Sequence, residues 1–110
     1  MTDKIVVLNT CGSAEEAGAV ARDLVESRVA ACVNIVPQVR SIYRWKDVVE
    51  DATEWLLIIK SRRELLPGIQ ARLRKIHSYE VPESIALTVI DGLPEYLEWI
   101  DAETAAQLSE

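Results

Sequence analysis

Two cysteines and a single histidine are the side chains of this sequence best suited to binding a soft metal ion. Cys32 and His77 offer a thiol and an imidazole, which are ligand types that copper ions favour. We therefore predict Cys32 and His77 as candidate metal ligands, with copper or another divalent cation as the ion. A structural role is the alternative for each. Cys32 lies in an apolar segment, where free cysteine often packs as a small core residue, and His77 follows a helical pattern whose end favours a cation.

A second set of residues could bind a small anion or metabolite. It combines an ammonium group, an imidazole, a phenol, a carboxylate and an indole: Lys60, His77, Tyr79, Glu80 and Trp99. The alternative is that Tyr79 and Trp99 are packing anchors and that Glu80 is a rim charge. No two potential metal ligands have the spacing of a zinc site. The sequence also shows no recognisable Ser-His-Asp or Cys-His arrangement and no phosphate-binding glycine loop, so we do not expect an enzyme.

The N-terminal part of the sequence predicts a buried strand followed by a helix. Ile5–Leu8 is a short apolar run rich in β-branched residues, as in strands that are buried on both faces. Ser13 and Glu16 have the spacing of a capping box at a helix start. Apolar residues then recur at helical spacing from Ala17 to Val25.

An unusually long β-hairpin is predicted in the middle of the chain. Strand-like residues run from about 30 to 46, Lys46-Asp47 is a plausible turn, and a second strand runs over residues 48–60. Pro37 cannot donate a ladder hydrogen bond, so it marks an edge strand or a bulge. Each arm would reach about 43 Å, whereas a compact chain of 110 residues is about 35 Å across.

The hairpin should therefore extend past its own core and expose apolar residues, namely Ile42, Tyr43, Trp45, Val48 and Val49. Pairing with another subunit would cover these side chains and the free strand edge. We therefore predict an obligate homo-oligomer. The alternative is that the arms bend at Pro37 and fold back as two shorter hairpins.

The remaining elements complete a common α+β arrangement. Ser61 and Glu64 have capping-box spacing before a second helix, although Pro67 favours a start nearer Leu65. Ile85–Ile90 predicts a last strand, and Pro94 predicts the start of a short C-terminal helix. The order matches a ferredoxin-like βαββαβ sandwich with a long hairpin between its second and third strands, in one domain of residues 1–110.

The two cysteines are not expected to form a disulfide. In this fold the first and second strands are separated by the third, which puts them about 9.5 Å apart. A disulfide needs Cα atoms within about 7 Å. We nevertheless expect Cys11 and Cys32 to lie at the same end of the sheet.

Charge and hydropathy bear on the partners and the cellular location. The formal net charge is −6, and an acidic surface repels phosphate backbones and anionic lipids, so neither nucleic acid nor membrane is expected as a partner. No apolar run approaches the roughly 20 residues that span a bilayer. The N-terminus lacks a signal-type pattern, so the predicted location is cytoplasmic.

The sequence resembles the CutA family of divalent-cation tolerance proteins over nearly its whole length. The matching segments cover residues 30–37, 41–45, 55–61, 77–83 and 96–100. Two positions depart from the family pattern: Asp47 stands where glycine is usual, and Ser78 stands where proline is usual. The resemblance implies a homotrimer of ferredoxin-like subunits and a cytoplasmic role in tolerance of copper and other divalent metals.

Two functions follow as hypotheses. The first is copper tolerance by direct metal binding, with no obligatory cofactor. The second is a sensor or adaptor of small molecules that resembles PII signalling proteins, with ligand clefts between subunits.

Overall fold

The computed structural model describes residues 2–104, so residue 1 and residues 105–110 of the predicted domain lie outside the described part. The elements in chain order are β1 (Lys4–Cys11), α1 (Ala14–Glu26), β2 (Cys32–Trp45), β3 (Val48–Arg62), α2 (Leu66–Ile76), β4 (Ile85–Thr88) and α3 (Pro94–Thr104). The strands form one antiparallel sheet in the order β2-β3-β1-β4. This arrangement confirms the predicted ferredoxin-like fold.

One face of the sheet carries the core. Val7 of β1 lies opposite Ile59 of β3, and both are fully buried. Leu24 of α1 and Leu73 of α2 belong to the same buried cluster. Burial of such side chains stabilises the fold by about 1.5–3 kcal/mol each. The amphipathic stripes of α1 and α2 therefore determine which face of the sheet becomes the inner one.

The other face of the sheet is only partly covered, and we call it the open face. Its apolar residues alternate with the buried ones along the strands: Val6, Leu8, Leu56, Ile58, Ile85 and Leu87. Ile85 and Leu87 remain 52% and 48% exposed. α3 packs at one end of this face, where Ile100 is buried and Arg62 Nε donates to Thr104 Oγ1 at 3.0 Å.

The hairpin has the predicted turn and the predicted irregularity. Lys46 and Asp47 both have positive φ, 51° and 68°, as the two central residues of a type I′ turn require. Val36 lies opposite Leu56 and Val39 opposite Glu54, so β2 has one extra residue at Pro37-Gln38. This is a β-bulge on the edge strand, and the longest dimension of the molecule is 43 Å.

The predicted ends of β1 and β3 were wrong. β1 continues past Leu8 to Cys11, because the buried amide of Asn9 donates to the Glu83 carbonyl oxygen at 2.7 Å and is thereby satisfied. Ser61 does not cap a helix. It lies in β3 and its hydroxyl donates to the Val29 carbonyl oxygen at 2.6 Å.

The helix boundaries elsewhere agree more closely with the sequence. α2 begins at Leu66 with Pro67 in its first turn, as the position of the proline predicted. The predicted cap of α1 is confirmed, since Ser13 Oγ accepts from the Glu16 amide at 3.1 Å. β4 ends at Thr88, two residues before the predicted end.

The two cysteines lie at opposite ends of the sheet, so the expectation of a shared end was wrong. Cys11 is opposite Trp55 and Cys32 is opposite Lys60, which are separated along β3 by about 16 Å. β1 and β2 both run antiparallel to β3 and hence parallel to each other. The end of β1 is therefore far from the start of β2, and both thiols are free.

Candidate functional site

Four polar side chains meet where the hairpin leaves the core, and we call them the hairpin-end cluster. They are Cys11, Glu54, His77 and Tyr79. Cys11 ends β1, Glu54 lies on β3, and His77 caps the C-terminus of α2. Cys11, Glu54 and His77 are buried and Tyr79 is half-buried. Three separate parts of the chain are therefore needed to build this cluster.

His77 is held in one tautomer by two hydrogen bonds. Its Nε2 lies 2.8 Å from the Thr10 carbonyl oxygen, which can only accept, so Nε2 carries the proton. Its Nδ1 accepts from the Tyr79 amide at 3.1 Å. This is the pattern of a neutral imidazole, and both ring nitrogens are engaged inside the protein. Neither nitrogen offers a free lone pair to a metal ion in this arrangement.

Cys11 is a fully buried neighbour of that histidine. Its Sγ lies 3.6 Å from His77 Nε2 and 3.5 Å from Asn9 Oδ1. Burial raises the pKa of the Cys11 thiol to about 12, and the nearby charges of Glu16 and Glu54 add to the effect. The thiol therefore stays protonated at neutral pH, and Cys11 and His77 do not form a nucleophilic pair.

Tyr79 is bound to a carboxylate that is nearly withdrawn from solvent. Its hydroxyl donates to Glu54 Oε2 at 2.6 Å, and Glu54 is 5% exposed. Burial raises the pKa of Tyr79 above its ordinary range, and the hydrogen bond to Glu54 raises it further. A Cβ at Gly12 would lie 3.1 Å from this hydroxyl, so glycine at that position leaves room for the ring.

The loop that carries Tyr79 is fastened to α1 by Glu16. The Glu16 carboxylate accepts from the Ser78 amide at 2.7 Å and from the Ser78 hydroxyl at 2.9 Å. Partial burial would raise the pKa of Glu16, but the hydrogen bonds from Ser78 outweigh it and the pKa is lowered. Proline at position 78 has no N–H and could not make the first of these bonds.

A pocket of about 740 Å³ opens beside the hairpin-end cluster, between the outer part of the hairpin (residues 41–54) and residues 78–83. It is lined by Thr10, Ser41, Ile42, Tyr43, Trp45, Glu54, Ser78, Tyr79, Glu80, Val81, Pro82 and Glu83. Thr10 and Glu54 are open-face positions, so the pocket lies on the side of the sheet away from α1 and α2. Three carboxylates and three aromatic rings among the lining residues make it acidic and aromatic.

A second group lies at the other end of the open face, and we call it the α3-end cluster. It consists of Cys32, Asn34, Lys60, Tyr96 and Trp99. Cys32 Sγ and Lys60 Nζ both donate to Asn34 Oδ1. Tyr96 stacks on Trp99 with ring centroids 5.5 Å apart. Burial and the nearby Cys32 thiol raise the pKa of Tyr96.

The structure divides the residues predicted from the sequence between these two places. His77, Tyr79 and Glu80 lie at the hairpin end, whereas Lys60 and Trp99 lie at the α3 end with Cys32. Cys32 is opposite Lys60 and the partner of His77, Thr10, is opposite Leu56. These register positions are about 13 Å apart along β3. The two predicted metal ligands are therefore not brought together.

The described residues contain no group of three or more His, Cys, Asp or Glu side chains arranged to hold a metal ion. Sequence reasoning missed Glu54 and Glu83, and it did not place Cys11 beside His77. Glu54 could have been noticed, because it shares the alternation of Leu56 and Ile58 and so faces the same side of the sheet. Glu83 gave no comparable signal.

The sequence matches the family model for the CutA1 divalent ion tolerance protein over residues 5–103. The chain belongs to this family. The divalent-cation tolerance protein CutA of Thermus thermophilus is 46% identical over 99 residues, which are 90% of this chain and 96% of the relative. Protein CutA of Mus musculus is 45% identical over 95 residues, and this chain, of which 86% is aligned, covers 54% of the mouse protein's length.

Solved structures of the CutA1 family share the fold. CutA from Xylella fastidiosa has a TM-score of 0.91 at 39% identity, with 94% of this chain and 99% of that chain covered. CutA relatives occur in more than one compartment, since the protein from Arabidopsis thaliana is named chloroplastic and a structure from Archaeoglobus fulgidus is called periplasmic. Over residues 2–104, no helix is long and apolar enough to cross a membrane.

Proposed function

We propose that this chain serves divalent-cation tolerance as a homotrimeric protein that binds a small ligand in the pocket beside the hairpin-end cluster. One observation carries the proposal: the pocket opens on the face of the sheet that α1 and α2 leave uncovered. A neighbouring subunit that covers the open face would also close the pocket. Ligand binding and assembly would then be coupled, as in the hypothesis of a sensor or adaptor with clefts between subunits.

Exposed apolar surface supports the trimer. The outer hairpin leaves Ile42 64% and Val49 59% exposed, and the open face adds a second apolar area. β2 and β4 are both edge strands with unpaired backbone groups. Three copies around a threefold axis would place each hairpin against the next subunit, so the exposed apolar surface of every copy would be covered. Light scattering after size-exclusion chromatography should give about 37 kDa, three times the mass of one 12.3 kDa chain; a 12.3 kDa species would contradict the proposal.

The pocket can be tested by thermal unfolding in the presence of a metabolite panel. A ligand that binds the folded protein raises its melting temperature. Tyr43→Ala removes a pocket wall that is already half-exposed, so it should abolish the shift without unfolding the chain. Lys60→Ala is the matched control, because Lys60 lies in the α3-end cluster and should leave the shift unchanged. Equal loss in both variants would contradict a site at the hairpin end.

Direct copper binding is a second candidate, and Cys32 is the residue that favours it. Its thiol is half-buried, unbridged and on the open face, whereas both ring nitrogens of His77 are engaged. Isothermal titration with Cu(I) and Cu(II) should show binding that Cys32→Ser removes and Cys11→Ser retains. Binding no tighter than millimolar in the wild type would contradict this candidate.

A non-catalytic role and a cytoplasmic location complete the proposal. The Cys11 thiol stays protonated and both ring nitrogens of His77 are hydrogen-bonded within the protein, so the two lack the activation that a nucleophilic pair needs. The two free cysteines agree with a reducing compartment. Turnover on phosphate or ester substrates would contradict the first claim, and fractionation of the source cells would test the second.

A further inference from the structure

We propose that the pocket beside the hairpin-end cluster binds an organic ammonium ion, such as an alkyl amine. This inference rests on the proposed function, because it names the ligand class for the same pocket. It replaces the expectation of a small anion, since the carboxylates of Glu54, Glu80 and Glu83 line the pocket and would repel one.

Glu54 places a buried carboxylate in the pocket wall. Its side chain is 5% exposed, and the Tyr79 hydroxyl donates to one of its oxygens. No Lys or Arg nitrogen of residues 2–104 lies within 4.0 Å of its carboxylate. A buried carboxylate without a cation is costly. A ligand cation entering the pocket would supply a positive charge to pair with the Glu54 carboxylate.

Aromatic side chains also line the pocket. Tyr43, Trp45 and Tyr79 all face the pocket, and aromatic rings attract ammonium groups through their π faces. A volume of about 740 Å³ is that of a site for an organic molecule. A bare metal ion would use neither the rings nor this space, and the described residues form no metal-holding group.

An alkylammonium group of the chain itself already lies at the rim of the pocket. Lys46, at the hairpin turn, places its Nζ 5.5 Å from the centroid of the Trp45 ring and 3.4 Å from Glu80 Oε1. Trp45 and Glu80 both line the pocket. The chain's own lysine thus shows how one carboxylate and one ring accept a primary ammonium. An amine ligand would compete with Lys46 for these groups.

Three compounds of similar length separate charge from shape. The probes are 1,5-diaminopentane, 1,5-pentanediol and glutarate, which are cationic, neutral and anionic. Isothermal titration of the full chain should show binding of the diamine alone. Glu54→Gln should weaken it about tenfold or more, since a charge-assisted contact is lost. Glu80→Gln, at an exposed rim position, gives the same test if Glu54→Gln fails to fold.

Lys46→Met provides the most discriminating variant. If Lys46 competes with the ligand, its removal should tighten diamine binding about two- to threefold. If Lys46 has only a structural role, its removal should not increase the affinity for the diamine. Lys75→Met is the matched control, because it changes the net charge equally at an exposed position of α2 and does not line the pocket. Unchanged affinity in Lys46→Met would overturn the proposed competition.

The outcomes distinguish this inference from the proposed function. Equal binding of the diol or of glutarate would overturn the ammonium class. Failure of the diamine, together with stabilisation by another metabolite that Tyr43→Ala abolishes, would overturn the ammonium class and leave the pocket as a ligand site. A monomeric chain that no compound stabilises would overturn both.

Discussion

The hairpin-end and α3-end clusters use similar residues in opposite ways. Each joins a cysteine to polar groups and to an aromatic side chain. Cys11 is fully buried and contacts Asn9 and His77. Cys32 is only partly buried and lies beside the half-exposed Tyr96, which stacks on Trp99. Residue type alone therefore does not assign chemistry; burial and hydrogen bonding decide which thiol or ring is available.

The two clusters also differ in how the chain assembles them. Cys32 and Lys60 meet directly across the β2–β3 ladder, so a local hairpin and one helix make the α3-end cluster. The hairpin-end cluster needs β1, β3 and the loop after α2 to be docked together. It should therefore be the more sensitive of the two to mutation.

The largest expected difference is in thiol reactivity. A pKa of about 12 in place of 9.0 lowers the thiolate fraction of Cys11 at neutral pH about a thousand-fold relative to an ordinary thiol. Iodoacetamide should thus modify the folded protein at Cys32, with sites assigned by mass spectrometry. Cys32→Ser should abolish the reaction and Cys11→Ser should not. Modification of Cys11 at the faster rate would reverse the comparison.

The next largest effect should be on stability. His77→Ala removes two hydrogen bonds and leaves a cavity beside the Thr10 carbonyl, at a cost of about 3 kcal/mol. Lys60→Ala at the α3 end should cost less than about 1 kcal/mol. Urea unfolding at one fixed protein concentration measures both. Equal losses would show that the two clusters contribute alike.

A smaller loss should follow deletion of a single hydroxyl. Tyr79→Phe leaves the nearly buried Glu54 without its donor, which should cost about 1–2 kcal/mol. Tyr96→Phe changes a half-exposed ring at the other end and should stay within about 0.5 kcal/mol of the wild type. Thermal unfolding of the pair checks this, and a larger cost for Tyr96→Phe would refute the difference.

The smallest effect should depend on pH. The folded-state pKa of Glu16 lies below its ordinary 4.5, so its stabilisation is present above that value and is lost as pH falls through the folded pKa. Glu16→Gln should lower the free energy of unfolding by about 1 kcal/mol at pH 7. Urea unfolding from pH 7 to pH 3 measures the difference in this free energy between variant and wild type, which should narrow below pH 4.5. A gap that widens on acidification would contradict the lowered pKa.

Local signals explain what could be predicted from the sequence. The Ser13 cap, the turn at Lys46-Asp47 and the irregularity at Pro37 were each predicted because neighbouring residues alone determine them. Ser61 shows where such signals fail. Its spacing to Glu64 fits a cap, but the continuing β3 ladder and the Val29 carbonyl take the hydroxyl instead.

The candidate site was less predictable because its contacts join distant residues. Tyr79 and Glu54 are 25 positions apart, and Cys11 and His77 are 66 apart. Strand order alone did not reveal that Cys11 and Cys32 lie at opposite ends, because direction along the sheet matters as well. The division of the predicted binding residues between two clusters follows from the same cause.

The bulge at Pro37-Gln38 sets a rule for length changes in the hairpin. The extra residue brings Tyr43 and Trp45 to the same side of the ribbon as Cys32 and Val36, although the numbering parity differs. Deletion of one residue from β2 alone would turn those aromatic rings to the opposite side. Insertions and deletions that evolution or engineering can tolerate here should therefore come in pairs, two residues on each arm.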